Sequence, residues 1–277
     1  MTLTVLGLIY AAALIWLRLN EDRLIYFPNR TGRQLENAAA SLALGAERVQ
    51  FSTPDSVRLA GWVVPARPPD SSGLWLLLFH GNAGDISSAG RPEHDRQLRD
   101  LGLDVLAIDY RGYGESEGTP SEEGLYTDAR AAYDYLRNTR GVPASRIVLY
   151  GHSLGAAVAI DLATRVDAAG LIVEGAFTSV PDRGQEIYPF FPVRLIARSR
   201  YASLEKIGRI AIPKLFIHGR DDTTIPIRHS RRLYDRAQFP KTFLEVPGGH
   251  DDAYAEDSVA YQAGVSRFLG SLVSAGP

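Results

Sequence analysis

The chain contains no cysteine. Disulfides, thiolate metal sites and a cysteine nucleophile are thereby excluded, while the compartment stays open, since exported and cytosolic proteins can both lack the residue. The six histidines are His80, His94, His152, His218, His229 and His250, and no two of them stand at an HExxH spacing. A histidine-rich metal site therefore has no support, and neither a metal nor another cofactor is expected. A carboxylate site for a hard cation is chemically conceivable, but nothing in the pattern asks for one. No Lys/Arg-rich run occurs either, and 30 basic residues against 32 acidic ones leave a net charge of −2. Nucleic acid is not an expected partner on that balance. Internal repeats and low-complexity stretches do not stand out.

What is present points to one globular domain. A chain of 277 residues fits a single large domain better than two, its 45% hydrophobic fraction is ample for a core, and 22% charged residues suit an ordinary surface. The N-terminus departs from this composition. From Leu3 to Leu19 the only charge is Arg18, in a run of Leu, Ile, Val, Ala, Trp and Tyr. A cleaved signal peptide would carry a basic residue before the apolar run and an A-x-A site after it, and neither is evident. A docked soluble helix would have a polar face, and this one has none. The expectation is a membrane-anchor helix over 1–20, at the short end of what crosses a bilayer, then a connecting segment over 21–46. Arg18 stands at the end of the run, Arg23, Arg30 and Arg33 follow it, and no basic residue precedes it. That favours a cytoplasmic C-terminal domain without fixing the side.

From residue 47 onward strand-like and helix-like blocks alternate. Strands are expected at Arg48–Ser52, Arg58–Val64, Leu74–Phe79, Asp104–Asp109, Ile147–Tyr150, Leu171–Glu174, Lys214–His218 and Thr242–Val246. Helices are expected around Gln34–Leu44 and at His94–Leu101, Glu123–Thr139, Leu154–Arg165, Arg228–Ala237 and Asp257–Val273. Such alternation means an α/β fold, a mostly parallel sheet covered on both faces, with functional loops at the carboxyl ends of its strands. The turn Thr53-Pro54-Asp55-Ser56 joins the first two strands as an antiparallel edge hairpin.

The chemical signal is Gly151-His152-Ser153-Leu154-Gly155, which follows an apolar strand directly and opens a helix of small residues. A sharp strand-to-helix turn of this kind lifts a serine oxygen above the sheet, beside amides at a helix N-terminus. The serine needs a base, and the base needs an orienting acid. His250, on the glycine-rich loop after the last strand, supplies the base; Asp221 and Asp222, after the preceding strand, both offer the acid. His80-Gly81-Asn82-Ala83-Gly84 ends another strand and suits an oxyanion loop, with the Asn82 and Leu154 backbone N–H groups as donors. Structural roles are expected for Arg111, for His152 and His218, for Glu174 as a buried partner, and for Asp251 and Asp252 as helix caps or solvated groups.

Over roughly residues 47–275 the chain resembles the α/β-hydrolase superfamily. More narrowly it is similar to the Bem46-like branch of membrane-associated serine hydrolases, which includes the ABHD13- and ABHD17-type enzymes. The residues that carry the resemblance are Ile25-Tyr26-Phe27-Pro28, HGNAG at 80–84, DYRGYGESEGTPSEEGLYTDA at 109–129 and GHSLGAAVAIDLA at 151–163. EGAFTS at 174–179, YPFFPVR at 188–194, HGRDDTTIP at 218–226 and GGHDD at 248–252 complete them. The resemblance implies an α/β-hydrolase domain over 47–277 with Ser153, Asp222 and His250 as its triad. Asp221 is a departure, standing where a variable uncharged or basic residue is expected. The class inserts caps where residues 176–206 lie, and Phe177, Tyr188, Phe190 and Phe191 would give such a cap apolar surface for an acyl chain.

The activity expected is hydrolysis of a carboxylic ester or thioester through an acyl-enzyme. The substrate would be a small molecule, or an acylated lipid or protein, and the membrane a partner through the N-terminal helix. An amide-cleaving peptidase or an acyltransferase could use the same residues. A non-catalytic scaffold would be expected to lack one of the three, and all are here.

Overall fold

The computed structural model describes residues 2–29, 44–67, 73–88 and 90–274. The short helix expected around Gln34–Leu44 falls, Leu44 apart, outside them. Ten strands are described: β1 Phe27–Pro28, β2 Glu47–Ser52, β3 Arg58–Val64, β4 Leu74–Phe79, β5 Ala83–Gly84, β6 Leu103–Ile108, β7 Ile147–His152, β8 Gly170–Glu174, β9 Lys214–Gly219 and β10 Lys241–Val246. Eight of them form one sheet in the order β10-β9-β8-β7-β4-β6-β3-β2. It is parallel from β10 to β6, while β3 joins β6 antiparallel and the β2–β3 hairpin closes that edge.

The middle strands are apolar on both faces because both faces are covered. Leu77 and Phe79 of β4 enter one core cluster with Ile147 and Leu149 of β7, while Leu76 and Leu78 enter the other with Val148 and Tyr150. This is the two-residue alternation of a strand buried between two helical layers. Helices Glu122–Asp134 and Leu154–Ala163 pack on the first face. Helices Arg91–Asp100 and Ser258–Ser274 pack on the second. The single helix expected over Glu123–Thr139 instead runs α-helical to Asp134 and finishes as a π turn, Tyr135–Thr139.

Two features lie outside this framework. Residues between β8 and β9 form a small cap with helices Val180–Ile187, Val193–Ile196 and Ser203–Ile207. The N-terminal segment forms a helix over Thr2–Leu19 and a short one over Glu21–Ile25, then pairs β1 with β5 in parallel. The spanning anchor expected over 1–20 is corrected here: among the described residues no helix is long and apolar enough to cross a membrane. Eighteen residues extend only about 27 Å, and the helix spends part of that length on the protein. The Tyr10 hydroxyl donates to the Phe190 carbonyl at 2.9 Å, and Arg18 donates to the Ile196 carbonyl at 2.6 Å.

Candidate active site

The loops that carried the chemical signals emerge together at the carboxyl ends of β4, β7, β8, β9 and β10. Ser153 sits on the β7 turn at φ 55°, ψ −115°, a left-handed conformation that a serine holds only when its surroundings impose it. Two glycines make the turn possible. A Cβ on Gly151 would lie 2.1 Å from the Gly155 carbonyl oxygen, and one on Gly155 would lie 2.0 Å from that of Phe79. The Ser153 amide donates to the Glu174 carbonyl at 2.9 Å, which ties the turn to β8.

Ser153, His250 and Asp222 form one hydrogen-bonded chain. The Ser153 hydroxyl stands 2.8 Å from His250 Nε2, and His250 Nδ1 stands 2.7 Å from Asp222 Oδ2. A carboxylate can only accept, so Nδ1 carries the proton and Nε2 is left to accept from the serine. Burial alone would raise the Asp222 carboxyl. Hydrogen bonds from His218 and His250, the charge of His250 and the Ile225 amide outweigh it and hold the group well below the usual carboxylate range. Asp221 points away: it is exposed, with its backbone amide on the Gly248 carbonyl. Of the adjacent pair, Asp222 alone reaches the histidine. Such a chain can take a proton from a nucleophilic serine and return it to a leaving group.

The neighbouring polar residues support this chain without touching the serine hydroxyl. His152 donates from Nε2 to the His250 carbonyl at 2.8 Å, and burial, then the charge of His250, pushes its pKa down. Glu174 is buried and accepts from the hydroxyls of Tyr150 and Tyr261, the second at 2.8 Å. Burial pushes nearby His94 down to about 4, and its Nε2 lies 3.0 Å from the Tyr261 hydroxyl. His218 is buried between Ser230 and the Ile225 carbonyl. Arg111 ties its own loop to a helix and a turn, bonding Asp128 of helix Glu122–Asp134 at 2.9 Å and Asp55 of the β2–β3 turn at 2.8 Å. Asp251 and Asp252 are exposed, and Asp252 accepts from the Gly249 amide while preceding helix Ala253–Glu256.

The β4 loop lies against the elbow: a Cβ on Gly81 would sit 3.4 Å from that of Ser153. Its Asn82 carbonyl is held by the Phe27 amide at 2.9 Å and the Tyr113 hydroxyl at 2.7 Å, and its side chain donates to the Ile25 carbonyl at 2.8 Å. Asn82, Ser153 and Leu154 together form the floor of a cavity of about 260 Å³. Phe177 and Tyr188 line it as expected; Phe190 and Phe191 do not. Phe190 is 86% exposed, and Phe191 stacks on Tyr10 at 5.4 Å, because the turn at 188–191 faces the N-terminal helix. Sequence reasoning missed the rest of the lining. Leu17, Leu24 and Ile25 of the N-terminal segment join Ile187 and Ile196 of the cap. The Ile25-Tyr26-Phe27-Pro28 motif was the one available signal for them.

His152, His250 and Asp251 present ligand atoms within 4.8 Å of one another. An ion there would compete for His250 nitrogens already engaged by Asp222 and Ser153, so these residues fit the hydrogen-bonded chain better than a metal.

Comparison with known proteins follows the same lines. A family model described as serine aminopeptidase, S33, matches residues 74–203. The chain is similar to the uncharacterized protein Rv2307c of Mycobacterium tuberculosis, at 38% identity over 96% of this chain and 92% of that one. It is also similar to the alpha/beta hydrolase domain-containing protein WAV2 of Arabidopsis thaliana, at 33% identity over 90% and 87%. Among solved structures, esterase Pf2001 of Pyrococcus furiosus superposes with a TM-score of 0.71 at 19% identity, covering 90% of this chain and 98% of that one.

Proposed function

The chain belongs to the α/β-hydrolase superfamily, and from that membership we propose that it is a serine hydrolase of carboxylic esters or thioesters. The observation that carries the reading is the continuous Ser153–His250–Asp222 chain at the floor of an apolar cavity. Ser153 Oγ attacks the acyl carbon as His250 Nε2 takes its proton, and Asp222 orients the imidazolium. The Asn82 and Leu154 amides hold the oxyanion. Collapse of the tetrahedral intermediate breaks the bond to the leaving alcohol or thiol, which takes the proton from His250. Water, deprotonated by the same histidine, then releases the acid and restores the serine. No step calls for a cofactor. Within the superfamily we place the chain in the Bem46-like branch, on the motifs at 25–28, 80–84 and 188–194.

A peptide-amide reading draws on the description of the matching family model. Removal of N-terminal residues needs a carboxylate for the free ammonium. Glu21 borders the cavity, but its two oxygens already accept from the Arg198 and Ser199 amides at 2.7–3.0 Å. The ester reading fits these contacts better. Hydrolysis of p-nitrophenyl esters from acetate to palmitate, with Ser153→Ala as control, tests it. Activity lost in the variant is the expected result. A folded wild type inert both to every ester and to a fluorophosphonate would defeat the serine-hydrolase reading, whereas labelling without ester turnover would redirect it to amides.

We further propose that the protein attaches to a lipid surface, the N-terminal helix lying in the interface without crossing it. Its apolar side chains Leu6, Leu8, Ile9, Ile15, Trp16 and Leu19 are all more than half exposed.

A further inference from the structure

The N-terminal segment makes three sets of contacts that an anchor alone would not need. It holds the cap: the Glu21 carboxylate accepts from the Arg198 and Ser199 amides, and the Tyr26 hydroxyl bonds that of Tyr201 at 2.8 Å. Glu21 is buried, with 7% exposure, at a position next to an exposed helix end. It also holds the β4 loop through the Phe27 amide and the Ile25 carbonyl. Around these attachments, Leu17, Leu24 and Ile25 line the cavity that Ser153 also lines.

From this placement we propose that residues 17–25 form a wall of the acyl-binding pocket, and that Leu17 and Leu24 set the length of acyl chain accepted. The inference rests on the serine-hydrolase reading and names the substrate class for it: an aliphatic acyl group of medium length. The opposite wall comes from the cap, through Ile187 and Ile196. About 260 Å³ gives room for about nine groups the size of a water or a methylene. The polar groups at the rim are already engaged. Arg18 donates to the Ile196 carbonyl, Glu21 accepts from the cap, and Arg183 donates to the Thr224 carbonyl at 2.8 Å. The pocket beyond the serine thus presents hydrocarbon to its occupant, with no unused charge to select a polar one among the groups just named. Because the wall is fixed at both ends by hydrogen bonds, it cannot swing aside for a longer chain without releasing the cap or the β4 loop.

The test measures how fast Ser153 in the full chain is labelled by an ethyl and by an octyl fluorophosphonate, so no natural substrate need be known. In the wild type the octyl probe reacts faster. Leu24→Trp and Leu17→Trp fill the pocket, and each is expected to raise the ethyl-to-octyl rate ratio by at least about tenfold, the scale on which methylenes are discriminated in apolar pockets. Leu8→Trp, on the exposed part of the same helix, leaves the ratio unchanged. A ratio that stays constant in both pocket variants overturns the proposal, as does an equal shift in Leu8→Trp. Failure of the wild type to react with either probe would instead defeat the serine-hydrolase reading beneath it.

Discussion

At the scale of single residues, two buried carboxyls are shifted in opposite directions, one in the site and one on a helix that does not line the cavity. Asp222 is buried, yet four hydrogen-bonding or charged contacts hold it ionised, whereas Asp95, on helix Arg91–Asp100, is 2% exposed with only the Arg91 charge to offset its burial. Burial pushes Asp95 up to about 7. The folded chain therefore binds that proton more tightly than the unfolded chain does. Below about pH 4 both states are protonated and the group contributes nothing. As pH rises from about 4 to about 7 it costs stability progressively, up to roughly 4 kcal/mol, and the loss persists above that range. Asp95→Asn cannot titrate. Its melting temperature is expected to pull ahead of the wild type as pH rises from 4 to 8, by roughly 2–4 °C per kcal/mol recovered. Thermal scans at a series of pH values check this, and a gap that does not change with pH would show that Asp95 is paired after all. Asp222 has the opposite sign: its stabilising contribution is full above about pH 4 to 5 and is lost progressively as pH falls from there through the depressed folded value.

At the scale of elements, the parts legible in the sequence were those with a period or a local motif. All eight strands of the main sheet were placed to within two residues at either end, because buried strands such as Leu74–Phe79 are short apolar runs between turn residues. The elbow was legible for a different reason: Gly151 and Gly155 stand where no side chain fits. By contrast β1 and β5 are two residues each, too short for any period, and their pairing is decided by tertiary packing. That unforeseen bridge brings Asn82 under the control of the N-terminal segment. Asn82→Ala removes its 2.8 Å bond to the Ile25 carbonyl, at a cost of about 1 kcal/mol in stability. It also loosens the loop proposed to carry an oxyanion amide. Complete loss of one such donor lowers kcat by about 10²–10³-fold, so partial displacement is expected to lower kcat by about tenfold with KM little changed. A lowered melting temperature with kcat intact would make the bridge a purely structural clamp.

At the scale of the whole molecule, an apolar run reads the same whether its partner is lipid or the rest of the chain, and the proposed attachment would put both uses on one helix. The face that meets the protein carries Tyr10 and Leu17, set against the cap and the cavity. Its remaining surface is left to solvent. Beside it the cap exposes Phe190 at 86% and Leu195 at 85%, and the Tyr10–Phe190 and Arg18–Ile196 bonds hold the two sets of side chains together. An exposed apolar surface of this extent marks an interaction site. A lipid interface suits it, because the side chains are almost all hydrocarbon and the cavity lined by Leu17, Val193 and Ile196 lies beside them. Full-length protein is expected to co-sediment with phosphatidylcholine vesicles and to remain bound at 0.5 M NaCl, since apolar burial is not screened. Each large side chain transferred is worth roughly 1.5–3 kcal/mol, so the pair Phe190→Glu and Leu195→Glu should weaken partitioning by at least about tenfold, with circular dichroism confirming the fold. Protein that stays in the supernatant with vesicles present contradicts attachment. If it then elutes as a dimer that the same two substitutions dissociate, the belt belongs to a second copy of the chain. Release by salt alone would transfer the attraction to the arginines that follow the helix.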